Sequence, residues 1–214
     1  MKIKQFTFNA FAENTFVVSD DKGIAGIIDP GCGSASEQAQ VKRYIEEEGL
    51  QLKHLINTHC HIDHILGNQW IADEYGLVLA ACEKEVPVLE AMPAWGMQYG
   101  IHCDGPPPIS IFLAEGETLQ MGDLSFEILF VPGHSPGHLA FVNHQHKVIF
   151  GGDVLFKGGF GRIDLPSGDF FDLRDSILNK LFTLPDDYVV YAGHMETTTI
   201  GAEKLDNPII KFNK

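Results

Sequence analysis

The sequence predicts an α/β fold in which two β-sheets pack face to face and helices cover the outside. Short apolar runs alternate with stretches of helical periodicity, as expected for strands connected by helices. The second half of the chain loosely repeats this alternation, which indicates a second sheet. Histidines and aspartates follow directly after several apolar runs, where α/β folds carry their ligand-binding loops.

Strands and helices alternate in the first half. Ser34 and Glu37 have the spacing of a capping box, so we expect a helix from there to about Gly49. Gly76 fits the position just after a second helix. The expected strands of this half are residues 1–8, 14–19, 24–29, 53–58 and 77–81, and the expected helices are residues 34–49 and 65–75.

In the second half, two strands are expected to pair around Gly122. Further apolar runs lead to His134, Asp153 and His194, so each of these residues is expected just past the end of a strand. The expected strands include residues 126–131, 148–150 and 188–191, and a helix is expected over residues 173–184.

Residues 92–108 fit neither pattern. They are rich in proline, glycine and aromatic residues, including Trp95 and Tyr99, and lack helical or strand periodicity. We interpret them as a loop, which either forms one wall of a pocket or is a surface insertion without function.

Composition and charge predict one domain, residues 1–214, in the cytoplasm. No apolar run approaches the roughly 18–20 residues of a membrane span, and the N-terminus lacks the apolar block of a signal peptide. The 15 basic and 29 acidic residues give a net charge of −14, which would repel a nucleic-acid backbone. We therefore expect neither a nucleic acid nor a membrane as partner, and the oligomeric state stays open.

The cysteines are expected to be reduced thiols. They are far apart and form no Cys-x-x-Cys pair, which argues against a disulfide framework and a zinc finger. The four positions are Cys32, Cys60, Cys82 and Cys103.

Three histidines and an aspartate lie close together at His59, His61, Asp63 and His64. This mixture of nitrogen and oxygen donors suits Zn²⁺, Fe²⁺ or Mn²⁺. On a loop after a strand, His59 and His61 can converge on one ion, whereas Asp63 and His64 begin the next helix and turn the other way. We therefore expect two adjacent metal positions. The alternative is a patch of surface histidines.

Later motifs extend this set. His134 follows Gly133 on a tight turn, where the backbone can pass close to an ion. Asp153 follows two glycines and can bridge two cations, and His194 follows another glycine. His138 is expected to support the ligands rather than to be one.

The order of these motifs resembles the signature of the metallo-β-lactamase superfamily. The matching motifs are His-x-His-x-Asp-His at 59–64, Pro-Gly-His at 132–134, Gly-Asp at 152–153 and Gly-His at 193–194. Residues 152–162, with Asn207 and Pro208, make the chain most similar to glyoxalase II and its short bacterial homologues. The resemblance implies a four-layer αββα sandwich and a metal-dependent hydrolase of small-molecule thioesters such as S-lactoylglutathione.

The resemblance also implies a centre of two divalent ions, with Zn²⁺ favoured and Fe²⁺ or Mn²⁺ as alternatives. Its expected ligands are His59, His61 and His134 for one ion, Asp63, His64 and His194 for the other, and Asp153 as the bridge. Asp63 has the predicted catalytic role, because it would also orient the attacking water.

Two further residues are predicted from the resemblance to bind substrate. Arg162 matches a basic residue that glyoxalase II presents to the glycine carboxylate of glutathione, and Tyr191 matches a tyrosine near the same half of the substrate. The chain stops at Lys214, before the C-terminal helical region of full-length glyoxalase II. Recognition of glutathione itself is therefore left open.

Other functions fit the same residues. Persulfide dioxygenases resemble this chain in the same motifs but bind one iron through residues that match His59, His134 and Asp153. A lactone hydrolase would use the ligands of the thioester hydrolase. A non-catalytic metal-binding module fits least well, because every expected ligand position holds a residue able to bind metal.

Overall fold

Two six-stranded β-sheets form the centre of the computed structural model, which describes residues 1–103 and 105–212. The first sheet consists of β1 (Lys2–Phe8), β2 (Glu13–Ser19), β3 (Ile24–Ile28), β4 (Gln51–Ile56), β5 (Leu79–Ala81) and β6 (Ile109–Phe112). They lie side by side in chain order. The pairs β1–β2 and β2–β3 are antiparallel, and the remaining pairs are parallel.

The second sheet comes from the second half of the chain, as predicted. Its strands are β7 (Thr118–Met121), β8 (Leu124–Phe130), β9 (Leu139–Asn143), β10 (Val148–Gly152), β13 (Val189–Ala192) and β14 (Thr198–Thr199), and a separate ribbon is formed by β11 (Leu155–Phe156) and β12 (Gly159–Phe160). The spatial order is β14–β13–β10–β9–β8–β7. Only β10 and β13 are parallel in this sheet.

Six α-helices accompany the sheets in the described part of the chain. They are α1 (Ala35–Glu47), α2 (Ile62–Ile65), α3 (Asn68–Tyr75), α4 (Val86–Tyr99), α5 (Phe170–Asp175) and α6 (Ile200–Asp206). The predicted capping box starts α1, since the Ser34 hydroxyl accepts a hydrogen bond from the Glu37 N–H and the Glu37 carboxylate accepts one from the Ser34 N–H. Among the described residues, no helix is both long and apolar enough to cross a bilayer.

Three apolar clusters confirm the four-layer order of helix, sheet, sheet and helix. The cluster between the sheets joins residues of both, including Phe16, Ile56, Phe126, Phe141 and Phe150. A second cluster packs the first sheet against its helices and includes Ile27, Leu55, Val41, Ile71 and Met92. A third packs the second sheet against the helical segment after residue 169 and includes Val142, Ile149, Leu173, Ile177 and Leu181.

Two predicted helices differ in detail from those observed. The segment 65–75 is divided into α2 and α3, with a break after Ile65. The segment 173–184 begins earlier, at Phe170, because the Asp169 carboxylate caps it by accepting hydrogen bonds from two backbone N–H groups. It continues beyond α5 as a π-helical turn and then a 3₁₀ turn.

The prediction of a loop over residues 92–108 is wrong for its first part, which belongs to α4. Pro93 and Gly96 concealed the helical period. Gly96 is required by packing, because a Cβ atom there would lie 2.6 Å from the Ile101 carbonyl oxygen. The helix forms because Leu89 and Met92 are buried in the cluster beneath the first sheet. Asp104, in the same segment, lies outside the described residues.

The side chains packed between the two sheets should contribute strongly to the free energy of unfolding. Phe126→Ala removes a fully buried ring between the sheets and is expected to lower the free energy of unfolding by about 3–5 kcal/mol. Phe171→Ala is the matched control, because Phe171 is 75% exposed and should change little. Urea unfolding of both variants at equal metal content checks this, and equal losses would contradict the assigned layer.

Candidate metal centre

The seven predicted ligands meet at one edge of the two sheets. The loop after β4 carries His59 and His61, and the chain then enters α2 with Asp63 and His64. The turn after β8 brings His134 to the same place. The ends of β10 and β13 bring Asp153 and His194. The alternative of a surface histidine patch is excluded, because nearly all these side chains are buried.

One group consists of His59, His61 and His134. Each offers a ring nitrogen, and the three nitrogens lie within 4.8 Å of one another. His61 Nδ1 and His134 Nε2 are 2.9 Å apart. This geometry could hold a metal ion in an all-nitrogen set.

A second group consists of Asp63, His64 and His194, whose candidate ligand atoms also lie within 4.8 Å of one another. Asp63 Oδ2 is 3.1 Å from His194 Nε2 and 3.6 Å from His64 Nε2. The two groups divide the 59–64 motif, with His59 and His61 in one group and Asp63 and His64 in the other.

Asp153 lies between the two groups. Its Oδ1 is 3.5 Å from His64 Nε2, and its Oδ2 is 3.6 Å from His134 Nε2 and 3.4 Å from His194 Nε2. One carboxylate is therefore within reach of imidazoles from both groups, which is the position required of a bridging ligand.

Backbone carbonyl groups contact one ring nitrogen of two of the imidazoles, so that the other ring nitrogen faces the centre. His134 Nδ1 donates to the Arg162 carbonyl oxygen at 2.7 Å. His194 Nδ1 lies 3.1 Å from the Phe11 carbonyl oxygen and 3.3 Å from that of Ala12. Such bonds fix the ring orientation and turn Nε2 toward the site, where it can bind a metal ion in the neutral form of the ring.

His138 and Asp29 support the ligands without joining either main group of three. The His138 ring stacks on His59 at 4.6 Å, and its Nε2 accepts a hydrogen bond from the Asp153 N–H at 3.0 Å. This is the supporting position that the sequence indicated. Asp29 accepts from the Thr58 N–H at 2.7 Å and lies 3.3 Å from His64 Nδ1. Sequence reasoning missed Asp29, although its place at the end of a predicted strand was a usable signal.

Burial and neighbouring charges shift the pKa values of the histidines of the centre in opposite directions. Burial lowers the pKa of His59 well below its usual value, and burial together with His134 lowers the pKa of His61 to about 3. These rings are neutral at pH 7. Burial also opposes the charged form of His194, but hydrogen bonds to Asp153 and Asp63 outweigh it and raise its pKa to about 10.

The Asp153 carboxylate is ionised although it is buried. Burial favours its neutral form, but the positive charge of His64 and a hydrogen bond from His194 outweigh burial and lower its pKa well below the usual value. A cation that binds here would take over the neutralising role of those imidazolium protons and release them.

Orphaned polar atoms show that the residues fit metal ions. His59 Nε2, His64 Nε2 and Asp153 Oδ1 are buried and have no hydrogen-bond partner within residues 1–103 and 105–212. Buried polar atoms without partners are costly, and cations bound at the two groups would satisfy all three.

A cavity of about 690 Å³ opens onto the centre and is lined by His61, Asp63, His134, Asp153 and His194. Predicted substrate residue Arg162 also lines it, and its guanidinium forms two hydrogen bonds of 2.7 Å to Asp164.

The structure does not bring Tyr191 into the described lining of this cavity. Its ring lies against Phe16 and Phe150, at centroid distances of 5.7 Å and 5.5 Å, and packs on the inter-sheet cluster. We therefore assign Tyr191 to the core and leave it out of the substrate site. Strand periodicity could have indicated this, because Tyr191 belongs to β13 itself rather than to the loop after it.

The sequence profile of the metallo-beta-lactamase superfamily matches residues 9–194, a range that includes every residue of both groups. The chain belongs to this superfamily. Members of the superfamily carry divalent metal ions, in agreement with the two groups described above.

Individual relatives cover almost the entire chain. Hydroxyacylglutathione hydrolase GloC of Haemophilus influenzae is 41% identical over 212 residues, 98% of each protein. The crystal structure of BLEG-1 B3 metallo-beta-lactamase has a TM-score of 0.89 at 31% identity and covers 98% of this chain and 99% of its own. That of TTHA1623 in a di-iron-bound form has a TM-score of 0.85 at 32% identity, with 96% and 98% covered. The predicted fold and the likeness to glyoxalase II are confirmed, while the names of the superfamily relatives cover more than one activity.

Glu85 is a buried residue of the centre that sequence reasoning missed. Its carboxylate accepts hydrogen bonds from the Cys60 N–H at 2.7 Å, the Ser135 hydroxyl at 2.6 Å and the Gly137 N–H at 2.7 Å. Burial raises its pKa, and these donors partly offset the effect. Glu85 thus ties the His59 loop to the His134 turn of this superfamily member. Its sequence context, between lysine and valine, carries no signal.

Glu85→Gln should loosen both ligand loops. The amide nitrogen cannot accept, so at least one buried donor loses its partner, at a cost of about 1–3 kcal/mol. We expect a lower melting temperature and weaker metal retention on dialysis. Glu90→Gln, at an exposed position of α4, is the control, and equal behaviour of the two variants would contradict the role of Glu85.

Proposed function

We propose that this superfamily member is a metal-dependent thioester hydrolase of the glyoxalase II type. The observation that carries the proposal is the Asp153 carboxylate, which lies between two three-residue groups at the floor of a large cavity. The 41% identity to a hydroxyacylglutathione hydrolase supports this choice of reaction.

The seven predicted side chains are proposed to hold two divalent ions. The first ion would be held by His59, His61 and His134, the second by Asp63, His64 and His194, and Asp153 would bind both. When bound, such ions lower the pKa of water from ~15.7 to near 7 and polarise a carbonyl group. Zn²⁺ or Fe²⁺ suits this donor set, and the di-iron form of a relative supports iron as one of the alternatives.

Asp63 is proposed to orient the attacking water. Its carboxylate lines the cavity, and the Oδ2 atom lies 3.1 Å from His194 Nε2. A carboxylate fixed in this way can accept a hydrogen bond from water and direct an oxygen lone pair toward the substrate. Hydrolysis joins the water oxygen to the acyl carbon and breaks the carbon–sulfur bond, giving a carboxylate and a thiol.

The departing thiolate requires little help. A free thiol has a pKa of about 8.5, so the sulfur can leave as an anion near neutral pH. The reaction therefore needs no dedicated general acid among the described residues that line the cavity. Arg162 is proposed to face the thiol half of the substrate. Its guanidinium, which also pairs with Asp164, can bind a substrate carboxylate there.

Metal-loaded protein should hydrolyse S-lactoylglutathione, and chelation should abolish the activity until Zn²⁺ or Fe²⁺ is returned. Release of thiol, followed with a colour reagent, together with metal analysis, checks this. Oxygen uptake with glutathione persulfide, one iron per chain and no thioesterase activity would instead show a persulfide dioxygenase. Turnover of a β-lactam or a lactone alone would also contradict the proposal.

Asp153→Ala should lower the metal content and reduce kcat by at least a hundredfold, because both ions lose a shared ligand. Asp187→Ala is the control, since Asp187 pairs with Lys147 at the surface, away from the centre. Full activity of Asp153→Ala with unchanged metal content would refute the bridged two-metal centre.

A further inference from the structure

One wall of the cavity is formed by apolar side chains of a single helix face. The residues that α4 contributes are Pro87, Val88, Ala91, Met92 and Trp95. Their spacing follows the helical repeat, so they form a continuous face, the α4 wall. The charged residue of this helix, Glu90, lines a second cavity instead.

Polar side chains reach the cavity from a different segment. In the described lining, the charged and hydroxyl groups outside the histidine and aspartate centre are those of Arg162 and Ser167. Both belong to residues 162–167, which follow the loop that carries Asp153. A polar portion of a substrate therefore meets a charged group and a hydroxyl on this segment, whereas the α4 wall offers no polar group besides the indole N–H of Trp95.

The α4 wall is larger than a small hydroxyacyl group can cover. A cavity of about 690 Å³ is in the range that holds drug-sized molecules. Phe11 and Met195 extend its apolar lining although they are 47% and 66% exposed. When an apolar ligand group covers exposed apolar surface beside a reactive centre, the burial of that surface lowers the free energy of the complex.

We propose that the preferred substrates are thioesters with a bulky apolar acyl group, which packs on the α4 wall while the thiol half faces residues 162–167. This inference rests on the proposed thioester hydrolysis and specifies its substrate class. The acyl group, rather than the thiol half, is proposed to cover the α4 wall. The wall continues to the metal centre through Ile62, which lines the cavity together with His61 and Asp63. A charged thiol such as glutathione finds its polar partners elsewhere.

The test compares acyl groups on the same thiol. S-(3-phenylpropanoyl)glutathione and S-propanoylglutathione differ by a ring that is remote from the carbonyl, and dividing each rate by that of alkaline hydrolysis removes intrinsic reactivity. The metal-loaded enzyme should show a kcat/KM at least tenfold higher for the phenyl substrate. Binding of the stable thioethers S-(3-phenylpropyl)glutathione and S-propylglutathione, measured by calorimetry, should show the same order.

Two matched variants of α4 locate the preference. Ala91→Leu adds bulk on the α4 wall and should remove most of the tenfold preference, because it lowers kcat/KM for the phenyl substrate more than for the propanoyl substrate. Ala94→Leu makes the same change at an exposed position outside the described cavity lining and should keep the preference. Equal melting temperatures would show that both variants fold.

The possible outcomes separate this inference from the proposed function. Hydrolysis of both thioesters with equal or lower kcat/KM for the phenyl substrate overturns the inference and leaves the thioesterase proposal standing. A preference that survives Ala91→Leu also overturns it. If no thioester is hydrolysed but the phenyl thioether binds tenfold more tightly, and Ala91→Leu removes this, the reaction is wrong and the apolar subsite is upheld.

Discussion

The site depends on one buried carboxylate being held among imidazoles. Asp153 lies within 3.6 Å of ring nitrogens of His64, His134 and His194, which come from three separate segments of the chain. An ionised carboxylate would be costly to bury alone, and these positive or cation-binding partners offset that cost. The backbone is adapted to the same end. Gly152 has φ of +49°, and a Cβ there would lie 2.4 Å from the Thr58 hydroxyl oxygen, so only glycine can bring Asp153 this close.

The sheets provide the rigidity that this arrangement needs. β4, β8, β10 and β13 end at one edge, and the aromatic layer between the sheets fixes their relative position. Loops that leave a rigid edge can hold ligands within tenths of an ångström, which metal binding and catalysis require. Buried carboxylates then join the loops to one another: Asp29 is hydrogen-bonded to Thr58, and Glu85 spans two ligand loops. The apolar face of α4 completes the cavity.

The sequence predicted those parts of the structure that depend on local pattern. Both sheets, the capped α1 and the convergence of the seven metal-ligand candidates followed from strand patterns and from motifs at strand ends. The helix α4 was missed because Pro93 and Gly96 interrupt its local signal, whereas burial of Leu89 and Met92, a tertiary effect, stabilises it. Glu85 could not be predicted, because its role arises from contacts with residues 25 to 52 positions away. Tyr191 was predicted at the substrate from resemblance alone, which does not show which way a strand residue points, and its ring packs on the inter-sheet cluster.

The proposed function depends on two ions that lie side by side in this chain and share Asp153. Crystals of the metal-loaded protein, measured on both sides of the absorption edge of the bound metal, would locate the ions by anomalous diffraction. We expect two peaks per chain, one among His59, His61 and His134 and the other among Asp63, His64 and His194, with Asp153 contacting both. A single peak bound by His59, His134 and Asp153 in fully loaded protein would contradict it.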